Sequence, residues 1–242
     1  SQFVSATRYV GTTMGGKATV FGVNFADGRI KGYPAGPTPR EAGGKLFVVL
    51  HVRGGRGYGI NDFADGRDGT VTDRATGLVW TQRDSGESMG WEQALTWTAE
   101  LELGGHSDWR LPDAKELQSL VDYTRAPTTS GSPAIDPVFR STSIITERGS
   151  AGFGSYWTST THVEQGGRGA AAVYVSFGEA LGWMRDPRTG ERRLMDVHGA
   201  GAQRSDPKVG DPGDFPYGRG PQGDAVRIYN HVRCVRAGNV AF

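Results

Sequence analysis

Glycine constrains this chain more than any other residue type: 38 of its 242 residues are glycine and 12 are proline. Average chains carry about 7% glycine and 5% proline, so the excess is glycine alone. Glycine suits sharp turns and left-handed backbone, and it weakens helix interiors. That argues against a helical bundle or a coiled coil, and for a loop-rich, mostly β or α+β domain. A hydrophobic share of 36% with 10% aromatics separates the chain from disordered sequences. A chain this long buries a large core without disulfide staples, and its length falls between one and two average domains.

Charge says little about partners. Lys and Arg total 27 against 26 Asp and Glu, a net +1, so no whole-molecule field draws in nucleic acid. Of the basic residues, 22 are Arg. Guanidinium forks bind carboxylate, sulfate and phosphate through two bonds, although a GC-rich coding sequence produces the same bias. A single cysteine, Cys234, forbids an intrachain disulfide and any multi-cysteine metal site. No run approaches the roughly 18 apolar residues of a membrane span. The chain begins at Ser1 rather than Met, which a removed export signal would fit.

The first sixty residues read as strands and turns. Residues 8–10 and 18–23 have strand composition, and Ala26-Asp27-Gly28 is a hairpin turn. A Pro/Gly-rich loop spans 33–44, and the apolar run 45–52 reads as a strand stopped by Gly54-Gly55. Residues 1–59 are therefore expected to be a β-rich extension packed on a main domain of residues 60–242. There, residues 70–73 and 78–80 form a hairpin turned at Ala75-Thr76-Gly77. The acids Asp65, Asp68 and Asp73 invite calcium, but EF-hand spacing is absent and Asx turns account for them. No cofactor is expected, with calcium left open at these acids.

Two helices follow. Trp91, Ala94, Leu95, Thr98 and Leu101 share one helical face, giving a helix over 88–103 capped by Ser88 and closed by Gly104-Gly105. Asp113 and Glu116 make a capping box for a helix over 113–122 with Leu117, Leu120 and Val121 buried. Prolines 127, 133 and 137 punctuate a loop. Residues 156–160 and 171–177 read as strands, with 181–184 as partner of the latter. Residues 198–223 read as a long loop. A final strand is expected over 225–236, centrally paired, with Cys234 buried beside Val232 and Ile228.

An ordered set of motifs carries a resemblance. It runs from Asp68-Gly69-Thr70-Val71-Thr72-Asp73 through Thr76-Gly77-Leu78-Val79-Trp80, then Trp91, Ala94 and Leu95. It continues with Asp108-Trp109-Arg110-Leu111-Pro112, Glu116-Leu117, Ile135-Asp136-Pro137, Phe139 and Tyr156-Trp157-Thr158-Ser159-Thr160, and closes on Val232-Arg233-Cys234-Val235-Arg236. Over residues 60–236 the chain resembles the bacterial Lcl C-terminal-domain-like family. The resemblance implies an α+β, C-type-lectin-like fold related to the formylglycine-generating sulfatase-modifying enzymes. In that fold two helices pack on small antiparallel sheets and long loops bind ligands. It also implies an exported or surface-attached protein, similar to a namesake adhesin with sulfated polysaccharide ligands.

Function has to be read from the site. Formylglycine-generating chemistry needs reactive cysteines, and one cysteine in the last strand does not supply them. The five histidines show no facial-site motif, and no Gly-x-Ser-x-Gly elbow is present. The segment 196–208 is polar and glycine-spaced. Its candidate ligand-binding residues are Asp196, His198, Gln203, Arg204 and Asp206, with His162 and Trp183 beside them. Trp183, Tyr217 or Tyr229 could supply an aromatic platform. The same segment also reads as a self-satisfied Ω-loop, or as a metal site built from His162, His198, Asp196 and Asp206. The expected function is an exported, non-enzymatic module that binds carbohydrate or another surface ligand. The alternatives are a His/Asp metalloenzyme on a formylglycine-generating-enzyme-like scaffold and a structural module of a surface assembly.

Overall fold

A computed structural model describes residues 2–38, 42–55, 57–163, 167–186 and 188–237. The strands in chain order are β1 (Gln2–Arg8), β2 (Thr19–Asn24), β3 (Arg29–Pro34), β4 (Phe63–Asp65), β5 (Thr70–Asp73), β6 (Leu78–Thr81) and β7 (Ser143–Ile145). They continue as β8 (Ala151–Phe153), β9 (Ser155–His162), β10 (Ala171–Ser176), β11 (Leu181–Arg185), β12 (Arg192–Asp196), β13 (Gln203–Pro207) and β14 (Val235–Ala237). The helices are α1 (Trp91–Ala99), α2 (Ala114–Ser119) and α3 (Pro127–Ser130).

A six-stranded sheet in the order β1-β2-β3-β13-β10-β9 forms the centre. Its first hairpin follows from local chemistry. Asn24 O accepts from Asp27 N and Gly28 N, Asp27 Oδ1 accepts from Arg29 N, and β2 then pairs with β3 along its whole length. The other end of the sheet is buried on both faces. In β9, Tyr156 packs with Trp80, Leu117, Val175 and Phe177 on one side. Its neighbour Trp157 packs with Trp109, Ala172, Tyr174 and Cys234 on the other, as the two-residue strand period demands. A second sheet, β14-β6-β5-β4, closes the first of these clusters with Val71, Trp80 and Val235. A third cluster of Tyr9, Phe21, Ala126, Ala134 and Ala200 ties the N-terminal strands to the rest.

The structure corrects the expected fold. It is not a balanced α+β, C-type-lectin-like arrangement with two helices on small sheets. Among the described residues, fourteen strands stand against α-helices of nine, six and four residues. The apolar stripes were too short to make helices the frame. α1 starts after Gly90 without a side-chain cap, so Ser88 plays no part, and it stops at Glu100. Leu101 and Leu103 still pack on the core, but as a turn in which Leu103 and His106 pair through their backbones. α2 carries the expected capping box of Asp113 and Glu116 but ends at Ser119.

Other elements also differ. Among the described residues the run 45–52 makes only one isolated bridge, Phe3 with Val48. Of the loop expected over 33–44, residues 39–41 lie outside the described residues. β11 pairs with β12 rather than β10. The final strand is only Val235–Ala237, and it lies at a sheet edge. Residues 226–234 before it are nevertheless largely buried, Cys234 and Val232 completely. Ile228 interrupts any continuous strand there with a left-handed backbone, φ 61°.

Candidate functional site

The segment expected as a ligand loop folds inward. Gln203–Pro207 is β13, antiparallel to β10 with Arg204 opposite Tyr174 and Ser205 opposite Val173, and joined to β3 through Gln203 and Ile30. The turn before it needs glycine for packing. A Cβ on Gly201 would lie 2.8 Å from Tyr123 and Val121, at φ 93°. The glycines here make room for aromatic rings of the core, Tyr123 at Gly201 and Tyr9 at Gly199.

Side chains of β13 alternate between two networks. Gln203 Nε2 donates to Gly28 O at 2.8 Å, and Ser205 Oγ lies 3.1 Å from His162 Nδ1. On the opposite face Arg204 donates through Nε (2.7 Å) and Nη2 to Asp224 Oδ2. His198 Nε2 meets the other oxygen of Asp224 at 2.7 Å. Burial holds His198 neutral, pushed down to about 4, so it is the donor. Burial alone would raise Asp224, but the His198 hydrogen bond and the Arg204 charge outweigh it and keep that carboxylate well below the usual range.

Asp224 is aimed inward by a tight loop. Arg219 and Asp224 exchange both backbone hydrogen bonds, at 2.8 and 2.7 Å. Gly218 beneath them has φ 64°, and a Cβ there would lie 2.2 Å from Asp224 O.

Two further acids brace the site. Asp206 Oδ2 accepts from Arg227 N at 2.9 Å and Ile228 N at 3.2 Å, holding Ile228 in its left-handed conformation. For a β-branched residue that conformation is a strained one. Asp196 accepts from Gly199 N at 2.8 Å and Tyr9 Oη at 3.2 Å. Burial raises both carboxyls to about 6, against the opposing effect of those backbone N–H groups.

Between β13, the start of β3 and the 219–226 segment lies a cleft of about 140 Å³, lined among others by Arg29, Arg204, Ser205, Arg219 and Asp224. Arg29 reaches Asp27 through Nη1 at 3.0 Å and His162 Nδ1 through Nη2 at 3.5 Å. Its Nε is buried without a hydrogen-bond partner among the described residues. Lys31 stands nearby on β3, and burial together with the Arg204 charge pushes it down to about 8. The site is thus crowded with cations, with Arg204 already neutralised by Asp224. Beyond the same loop, Trp183 and Tyr217 pack edge to face at 5.8 Å, with the Arg192 guanidinium 4.7 Å from the Tyr217 ring.

The structure therefore brings Arg204 and Asp206 into one cleft wall, with His198 buried behind it on Asp224. It sets His162 and Gln203 on the other face of β13, Asp196 behind the turn, and Trp183 across the loop. Among the described residues His162, His198, Asp196 and Asp206 serve separate partners, and no group of three His, Cys, Asp or Glu is arranged to hold a metal. The acids Asp65, Asp68 and Asp73 each accept from neighbouring backbone N–H groups. Sequence reasoning missed Arg29, Asp224 and Arg219. Asp224 had no local signal, because its partners lie 20 and 26 residues away.

No curated protein and no solved structure matches the chain. A family model does, over residues 69–195, from β5 into β12. The cleft residues Arg29, Arg204, Arg219 and Asp224 lie outside that stretch. The matched stretch is just over half of the chain, and the protein belongs to the Lcl C-terminal domain family.

Proposed function

We propose that this protein is an exported, non-enzymatic binding module whose cleft beside β13 takes an anionic group, sulfate or carboxylate, of a surface polysaccharide. The observation that carries the reading is Arg29: a guanidinium lining the cleft with a buried Nε that has no hydrogen-bond partner among the described residues. Such an orphaned donor is costly unless an acceptor arrives, and an anion is the strongest acceptor available. Ser205 and Arg219 line the same space. Arg204 is not the anion receptor in this reading. It holds Asp224 in place and so shapes the wall. The half-exposed Tyr217, backed by Trp183, offers a flat apolar face to a sugar ring beyond the anionic group.

Titration with dextran sulfate, a polyuronate and neutral dextran tests this. One or both anionic polymers should bind, and neutral dextran should not. Arg29→Gln should weaken binding by about 1.5–3 kcal/mol, the range for a hydrogen bond to a charged group. Its melting temperature should hardly move, because the partly exposed Asp27 pair contributes little. Equal binding of neutral and anionic polymers, or an Arg29→Gln variant that binds like the parent, sinks the reading.

A further inference from the structure

Strand side chains alternate, so Arg29, Lys31 and Tyr33 share one face of β3, each about 7 Å along the strand from the one before. The Tyr33 ring leans back along that face. Gly22 lies opposite Lys31 on β2, and a Cβ on Gly22 would stand 3.1 Å from the ring. Lys31 Nζ is 5.2 Å from the ring centroid, and Lys45 Nζ is 4.7 Å from it. Tyr33 is 4% exposed, and its hydroxyl has no hydrogen-bond partner among the described residues. Burial pushes that hydroxyl up to about 12, so it stays a donor, and the charges acting on it are those of Arg204 and Asp27. A buried donor left without an acceptor is costly.

The charge around this donor is unbalanced. Lys31 makes one long contact, to Gln222 Oε1 at 3.5 Å, and Lys45 Nζ stands over the rings of Tyr33 and Phe47. The charges that act on Lys31 are Arg204, Asp224, Lys45 and Arg29. Of these, Arg204 is paired with Asp224, and Arg29 with Asp27. Among the described residues neither lysine has a carboxylate of its own.

We propose that Lys31, Lys45 and the Tyr33 hydroxyl form a second anion subsite beside the cleft. Two ammonium groups supply charge and the hydroxyl supplies a directed bond, a combination that holds a sulfate or carboxylate. Arg29 and Lys31 stand about 7 Å apart along the strand, more than one sulfate or carboxylate spans. The cleft and the subsite together therefore take a ligand with at least two anionic groups, such as successive residues of an acidic polysaccharide, and not a single charged sugar. That pairing rests on the cleft reading, whereas the second subsite rests on its own three residues.

Titration calorimetry of the full chain with dextran sulfate tests the proposal. Tyr33→Phe keeps the ring and the charges and removes only the hydroxyl. Its affinity should fall about tenfold, the loss of a hydrogen bond to a charged group. Its melting temperature should equal or exceed that of the parent, because an unpaired buried hydroxyl is gone. The double variant Lys31→Gln, Lys45→Gln should lose about tenfold or more. Lys115→Gln, which removes a charge from an exposed position on α2, should lose less than about twofold. Undiminished binding by Tyr33→Phe or by the double variant overturns the proposal, and so does a loss in Lys115→Gln equal to that of the double variant. Arg29→Gln separates this subsite from the cleft. If it binds like the parent while Tyr33→Phe loses affinity, the cleft reading fails and the second subsite stands. If only Arg29→Gln loses affinity, the cleft reading stands and the second subsite fails.

Discussion

Asp224 receives His198 on one oxygen and Arg204 on the other, and this pairing decides what Arg204 does. Arg204 is 8% exposed. Removing one partner of a buried pair leaves the other charge unmatched, a loss of about 3–5 kcal/mol. Arg204→Ala is therefore expected to lower urea and thermal stability by that order. Lost binding with unchanged melting would instead make Arg204 a ligand contact.

Asp206 gives a second prediction. Its carboxyl is raised from 3.8 to about 6, so the folded protein holds this proton more tightly than the unfolded chain. Its contribution to stability is then greatest below the unfolded value and declines as pH rises toward the folded one. Asp206→Asn removes that slope. The melting temperature of the parent minus that of the variant should fall as pH rises from about 4 to about 6, then level off. His198, pushed down to about 4, titrates in an overlapping window with the opposite sign, so only the difference between the two proteins isolates Asp206. A difference that is flat with pH rejects the raised carboxyl.

Elements differ in how far they rest on their own residues. α2 rests on its first turn: Asp113 accepts from Glu116 N, while the Glu116 side chain accepts from Asp113 N and pairs with Arg110 at 2.7 and 2.8 Å. Asp113→Ala should cost about 1 kcal/mol, the usual loss of an N-cap, measured by urea unfolding. This element was legible because its signal lies within four residues. β13 was not legible. Gln-Arg-Ser-Asp carries no apolar alternation, and its buried polar groups are satisfied by Gly28, Asp224, His162 and the 227–228 backbone, all distant in sequence. The loop that delivers Asp224 depends on Gly218, where any side chain meets backbone. Gly218→Ala should destabilise the protein by about 2 kcal/mol or more, since the position combines left-handed backbone with a clash. A variant as stable as the parent would show that the loop gives way freely.

At the scale of the whole molecule, the first thirty-four residues supply three strands of the central sheet and the Tyr9 hydroxyl that meets Asp196. A chain of residues 60–242 lacks both and should melt about 10 °C or more below the full chain, given a few degrees per kcal/mol at this size. Equal melting would mean that residues 1–59 add nothing to the remainder. Cys234 reports on the whole as well. Burial pushes its thiol up to about 12, and it lies among Trp109, Trp157 and Val232. Thiol labelling at neutral pH should therefore wait for unfolding and accelerate with urea in step with global stability.

The amino-acid sequence alone determined the features whose causes are local. The hairpin at Asp27-Gly28, the turn at Gly77, the capping box of α2, the strands around Trp157 and Val173, the burial of Cys234 and the family motifs all follow from neighbours within a few positions. Only the tertiary structure decided that strands rather than helices frame the molecule, and that 203–207 is a strand inside the sheet. It alone set Arg29, Arg204 and Asp224 around one cleft. These outcomes depend on which distant groups satisfy a buried charge or cover an apolar face. That free energy belongs to pairs of residues far apart in the chain, so no single stretch of sequence displays it.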